Sequence, residues 1–296
     1  LIGDDVDAVR NEEELPTIHI DAPGFKGSEW DGYEDALAAL LPFIKKKDKK
    51  EKTVNLLGLD PISPKVRADV EEIKRLLNVC GYRVNTALAI MSSFAEVQDM
   101  AAVEKNILLG GCGLKLAQAM EQNFNIPYEI VDFPYGLYQT REFLLKVSGV
   151  QYQEDVIGNL RRANEMLHRF YDMPVALIGD SARVKSLQNF LFNELGFDVR
   201  FTGVISGPRE VADRVDDLSS VDKALRNIGD DLRLIFGTTF QKRIAHELDV
   251  PLLRIAHPTY DEVYLSDNAP FMGYRGMVIL IEKILNLFLN KYPGED

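Results

Sequence analysis

The sequence predicts an α/β protein made of tandem Rossmann-like, doubly wound units with mostly parallel sheets. Three observations carry that reading. From "TVNLLGL" onward, short apolar runs alternate with amphipathic helical stretches. The stretch "PKVRADVEEIKRLLNVCG" has helical spacing with proline near its start and glycine at its end, which is the usual punctuation of a helix. The alternation then restarts at "MPVALIGD" and runs through a second, similar set.

At 296 residues the chain is long for one domain and comfortable for two, so a substantial buried core is available. Residues 1 to 50 hold one short β-like run, a glycine-rich turn and one helix, and read as the tail of a truncated first domain. The start at Leu1, in "LIGDD", points the same way, to a fragment or a processed product. The run "KKKDKKEK", Lys45 to Lys52, has the composition of a solvated linker. Residues 51–155 form the first complete unit: "TVNLLGL", "YRVNTALAI", "NILLGG" and "YEIVDF" are its strands. Residues 156–296 form the second, with strands at "MPVALIGD", "DVRFTGVI", "LRLIFGTT" and "PLLRIAH" and a last helix from about Gly276 to Leu289.

Composition excludes several classes of function. A net charge of −12 argues against a sequence-independent grip on nucleic acid, whose phosphates demand a surplus of lysine and arginine. No apolar run approaches the roughly twenty residues of a membrane span, and no signal peptide is visible. Two cysteines, Cys80 and Cys112, cannot build a disulfide framework, which points to a reducing cytoplasm.

In paired α/β units, ligands sit outside the carboxyl ends of the strands, so those ends are the candidate site. "LLGGCGLK" ends a strand in Gly110 and Gly111 and puts Cys112 at the entry to a helix. There, free N–H groups and the helix dipole favour a thiolate, or else Cys112 is a small buried packing residue. "LIGDSARV" brings Gly179, Asp180 and Ser181 to a strand-to-helix turn without a phosphate-loop pattern, and helix capping is the reading there. "IFGTTFQK" offers Thr238 or Thr239 as an N-cap. In "RIAHPTYD", His257 precedes a proline at a strand end, either as a turn residue or as a nitrogen ligand. His19, His168 and His246 have no second histidine or cysteine at ligand spacing, and Cys80 reads as packing. There is no nucleophile elbow, and the carboxylates are too scattered for spacing to select an acid/base pair.

Several motifs, in order along nearly the whole chain, resemble one family. These are "DAPGFKGSEWDGYEDAL", "IPYEIVDFPYGLYQTREFLLKVSG", "VALIGDSARVKSLQNFLFNELGF" and "VPLLRIAHPTYDEVYL" with the following "GYRGMVILIEKILN". They resemble the component 1 proteins of nitrogenase and their relatives, with a β-subunit-like pattern. The resemblance implies three Rossmann-like domains in a complete subunit, of which this chain would be the tail of the first plus the other two. It implies iron–sulfur clusters where domains and subunits meet, with the interface-cluster cysteines upstream of Leu1. It implies a homologous α-type subunit or a second copy as partner, and an ATP-dependent iron–sulfur reductase as electron donor.

The α-type subunit of the family holds its cofactor through one cysteine and one histidine. His257 falls where that histidine would, and Cys112 lies about three residues from the cysteine's place, so the resemblance makes these two the expected metal ligands. Ser92 and Ser93, in "IMSSFAEV", match a polar turn near the interface cluster and, with Gly110 and Gly111, are the expected cofactor-binding positions; the other reading of the serines is a helix N-cap. Three functions follow: a β-type subunit of a nitrogenase-like oxidoreductase, a non-catalytic scaffold for cofactor assembly, or a two-domain small-molecule binding protein without metal chemistry. For the ligand pair the demand is geometric: Cys112 and His257 must face one cleft.

Overall fold

A computed structural model describes residues 17–20, 27–161, 168–207 and 218–292. Helix α1 (Glu29–Ala38) precedes a four-stranded parallel sheet of β1 (Thr53–Leu57), β2 (Arg83–Ala87), β3 (Lys105–Leu109) and β4 (Tyr128–Val131). Its crossovers carry α2 (Val66–Val79), α3 (Phe94–Gln98) and α4 (Leu114–Phe124), and α5 (Gly136–Ser148) leads out of it. After the short α6 (Ile157–Arg161), a second parallel sheet contains β5 (Pro174–Asp180), β6 (Asp198–Ser206), β7 (Leu234–Gly237) and β8 (Leu252–Arg254). Its helices are α7 (Ser181–Asn193), α8 (Leu218–Ile228), α9 (Lys242–Glu247) and the long α10 (Gly273–Lys291).

The two sheets share one strand order, β2-β1-β3-β4 and β6-β5-β7-β8. In each, the first strand is central and the chain reverses its direction of travel beside it. The crevice that such a reversal opens at the carboxyl end of the sheet therefore occurs twice. Strand β1 is buried along its whole length, as a parallel strand covered on both faces should be.

The units are not independent beads. One apolar cluster runs from Leu56 and Ile73 in the first to Leu187, Phe190 and Leu280 in the second. Helix α10, last in the chain, returns to pack on α2 and α5 of the first unit. Its start is fixed from α2: buried Asp69 accepts hydrogen bonds from the backbone N–H of Phe271 (2.6 Å) and Met272 (2.8 Å). Gly273, at φ +75°, stands where a Cβ would lie 2.5 Å from Cγ of Glu72, so a side chain there meets both backbone strain and a clash.

The lysine-rich run differs from a free linker. Its side chains are exposed, but Lys45 N–H donates to Gln98 O (3.0 Å) and Lys50 N–H to Ala102 O (3.0 Å), which lays the segment along the turn before β3.

Candidate functional site

Both crevices open into one cavity of about 270 Å³. Most of its wall is built from residues at or just past strand ends: Gly58 and Asp60 after β1, Cys112 after β3, Phe133 after β4, Asp180 at the end of β5 and Arg183 just past it, Ser206 at the end of β6 and His257 after β8. Helix α1 closes one side with Glu29, Trp30 and Tyr33.

The β1 and β3 ends come close because Gly58 has no side chain. A Cβ there would lie 2.4 Å from Leu109 O and 2.8 Å from Cys112 O, and its φ is +90°. Cys112, 2% exposed, thus sits on the wall. The helix N-terminus beside it is already occupied. Glu34 of α1 accepts from the backbone N–H of Gly113, Leu114 (2.9 Å) and Lys115 (3.1 Å). Burial first, and then the Glu34 carboxylate, push the Cys112 thiol well above its usual range. The expectation that free N–H groups favour a thiolate is therefore reversed here: the dipole holds a carboxylate instead.

Tyr33 donates from its hydroxyl to Leu59 O (2.9 Å), and burial raises its phenol, with Cys112 and Asp60 adding to the shift. Asp60 is held in place by Ile62 N–H (3.0 Å) and the Ser63 hydroxyl (2.7 Å). Glu29 stands at the rim with no hydrogen bond or ion pair among the described residues. Burial raises its carboxyl pKa, with Asp60 and Asp180 acting in the same direction and His257 against them.

Arg183 joins the two units. It is 2% exposed, and its Nε donates to Asp180 Oδ2 (3.0 Å), Nη1 to the Tyr135 hydroxyl (2.7 Å) and Nη2 to the Ser63 hydroxyl (3.1 Å). The guanidinium also lies 5.4 Å from the Phe133 ring centre. Burial works against its charge, but Tyr135 and Asp180 outweigh that and hold it protonated. Asp180 meanwhile caps α7 by accepting from Arg183 N–H (2.9 Å), the capping role read from the sequence. His257 is half-buried, its ring edge-on to Tyr260 at 6.0 Å.

Of the six residues expected as metal ligands or cofactor-binding positions, the cavity brings together Cys112 and His257. The other four do not line it. Ser93 is the N-cap of α3, accepting from Glu96 N–H (3.2 Å) while its own N–H donates to Glu96 Oε2 (2.7 Å). Ser92 accepts from Ala89 N–H (3.1 Å). Gly110, at φ +72°, packs against α7: a Cβ there would be 2.6 Å from the Ala182 Cβ. Gly111 shares the left-handed turn at φ +91°. Sequence reasoning missed Glu29, Trp30, Asp60 and Arg183. The run "GSEWDG" held the first two in plain view, but no period or spacing marks them as wall residues.

The family model for nitrogenase component 1 type oxidoreductases matches residues 1–289. This chain belongs to that family. It is 25% identical, over 95% of its length, to a light-independent protochlorophyllide reductase subunit from Cereibacter sphaeroides, of which it covers 58%. It is 23% identical, over 94% of its length, to the nitrogenase molybdenum-iron protein beta chain of Methanococcus maripaludis, covering 69% of that chain. The chain thus spans about half the length of the protochlorophyllide reductase subunits it matches. Among solved structures, nitrogenase Cp1 at pH 6.5 superposes with a TM-score of 0.78 over 98% of this chain and 72% of its own, at 20% identity. That likeness matches the tandem parallel-sheet fold described above.

Component 1 proteins are associated with metal–sulfur clusters, so the donor set of the cavity is a direct test. Cys112 and His257 supply one thiol and one imidazole, and among the described residues no three His, Cys, Asp or Glu side chains converge to hold a metal ion. Clusters are bound through thiolates and carry negative charge. Here the cavity supplies a single thiol, and the wall adds three carboxylates against one guanidinium already paired with Asp180. These residues by themselves do not fit an iron–sulfur cluster.

Proposed function

We propose that this component 1-type chain contributes to a β-type subunit of a nitrogenase-like reductase, with the junction cavity as its small-molecule site. The observation that carries the reading is the meeting of strand ends from both sheets, with Cys112 from one and His257 from the other on a single wall. The relatives named above include one reductase subunit and one nitrogenase subunit, which supports the reductase class.

In this reading the iron–sulfur clusters are held by cysteines outside residues 1–296, together with a homologous α-type subunit or a second copy. Electrons arrive from an ATP-dependent iron–sulfur reductase, and the assembly works in the cytoplasm. The chain's own residues then bind and orient a ligand. Arg183 fixes the angle between the units, burial and then Glu34 keep the Cys112 thiol protonated as a hydrogen-bond donor, and His257 offers a ring nitrogen from the second unit.

A second reading, a small-molecule binding protein without metal chemistry, is favoured by the donor set just described. Anaerobic purification of the complete gene product separates the two. Iron, sulfide and a cluster EPR signal, with ATP-dependent turnover when a reductase is added, support the first; a colourless protein from a cluster-competent host supports the second. Cys112→Ala and His257→Ala should leave iron content unchanged. A loss of iron in either variant would restore the pair as cluster ligands.

A further inference from the structure

We propose that the junction cavity binds a small organic cation with a flat apolar body, such as an amidinium, a guanidinium or a protonated aromatic amine. The inference goes beyond the reductase reading by assigning a ligand class to the cavity. The walls supply the apolar part: Trp30, Tyr33, Ile62, Phe133 and Ile205 surround about 270 Å³, close to the lower end of the ~300–1,000 Å³ usual for small-molecule sites.

Charge selects the sign. Glu29, Asp60 and Asp180 face the cavity, and Arg183 is the one cation among its lining residues, with Nε, Nη1 and Nη2 each already donating to protein oxygens. Glu29 is the vacant acceptor, with no hydrogen-bond or ion-pair partner among the described residues. Asp180 is paired with Arg183, but Glu29 and Asp60 have no ion-pair partner among the described residues, so an anion entering here would meet two uncompensated carboxylates, whereas a cation supplies the missing countercharge. A bare metal ion is a poorer match, because no three of the described acidic, histidine or cysteine side chains converge on one point. Carboxylates spread around an aromatic-walled space suit a cation with its charge at one end, since ring faces also attract cations.

Trp30 is the single tryptophan of the sequence, so its fluorescence reports occupancy directly. The purified protein is titrated at pH 7.5 with benzamidinium, with benzoate as the same-shaped anion and benzyl alcohol as the neutral form. Benzamidinium should bind saturably and at least about tenfold tighter than either, ~1.4 kcal/mol. Glu29→Gln, at an exposed position with no hydrogen bond or ion pair among the described residues, and Asp60→Asn, which can keep the contacts to Ile62 and Ser63, should each weaken it several-fold. Glu71→Gln, an exposed acid outside the cavity wall, should not.

Equal or tighter binding of benzoate overturns the proposal, as does benzamidinium binding that both cavity variants leave untouched. No saturable binding of benzamidinium also overturns it, without touching the reductase reading, which rests on cluster content and turnover. Conversely, a complete gene product without clusters leaves the binding result standing.

Discussion

The carboxylate of Glu34 caps the helix that begins just past Cys112, so the two groups share one end of α4 with the acid in possession of the N–H groups. A negative charge there raises the thiol instead of activating it. Glu34→Gln keeps an acceptor for the cap and removes the charge. In a Cys80→Ser background, iodoacetamide should alkylate Cys112 several-fold faster at pH 8 in the Gln variant than in the parent. Equal rates at every pH would mean that burial alone sets the thiol.

Asp69 gives the fold a pH dependence of predictable sign. Burial raises its carboxyl from 3.8 to about 6, and the two backbone bonds from Met272 and Phe271 recover only part of that. The folded state therefore binds the proton more tightly than the unfolded chain. The associated stability is fully present below the unfolded value and is lost as pH rises through about 6. At about 1.4 kcal/mol per pKa unit, this one group makes the fold up to ~3 kcal/mol weaker at pH 7 than at pH 3.5. Urea midpoints of the parent and Asp69→Asn, measured from pH 4 to pH 7, should diverge in favour of Asn as pH rises. Parallel curves would rule out the buried titration.

The strand and helix order was legible because each parallel strand is a short apolar run and each helix an amphipathic one. The junction cavity was half legible. Its place followed from the rule about strand ends, and His257 and Cys112 were found through a resemblance and a motif. Trp30, Glu29 and Arg183 were not found, because a wall residue is defined by what faces it from another element. Of the two readings of Cys112, the thiolate one fails for the same reason: Glu34 lies on α1, far away in sequence, and occupies the N–H groups that looked free, while the buried-residue reading agrees with its 2% exposure. The return of α10 to α2 and α5 was equally invisible, since an amphipathic helix does not say which unit its face covers.

Arg183 is a buried tie between the units that the sequence hid. Arg183→Met should cost about 3 kcal/mol, because Asp180 loses its buried cation and the Tyr135 hydroxyl is left without its partner. Adding Asp180→Asn should recover part of that loss, since an unpaired carboxylate is the costlier remnant. Arg183→Lys keeps the charge but cannot reach all three acceptors, so its urea midpoint should fall between those of the parent and Arg183→Met. A double variant no more stable than Arg183→Met would place the cost in packing against Phe133 instead.

The first sheet carries a polar device in its centre. Asn55 of β1, fully buried, donates from Nδ2 to Met100 O (2.9 Å) and Asn106 Oδ1 (2.8 Å) and accepts from Asn85 Nδ2 (2.8 Å). Three neighbouring strands are thereby tied through side chains as well as backbone. Shifting one strand by a residue would bury these amides unpaired, so the ladder fixes register where apolar residues alone would tolerate a slip. Asn55→Leu is close in size, yet it strips a buried partner from Asn106 and from Met100 O. At about 1–3 kcal/mol for each orphaned group, the expected loss is ~3 kcal/mol, read as a lower urea midpoint at unchanged slope. Asn55→Leu combined with Asn106→Leu should cost less than the single change, because both ends of that bond are then apolar. A single variant as stable as the parent would reduce the ladder to incidental contact.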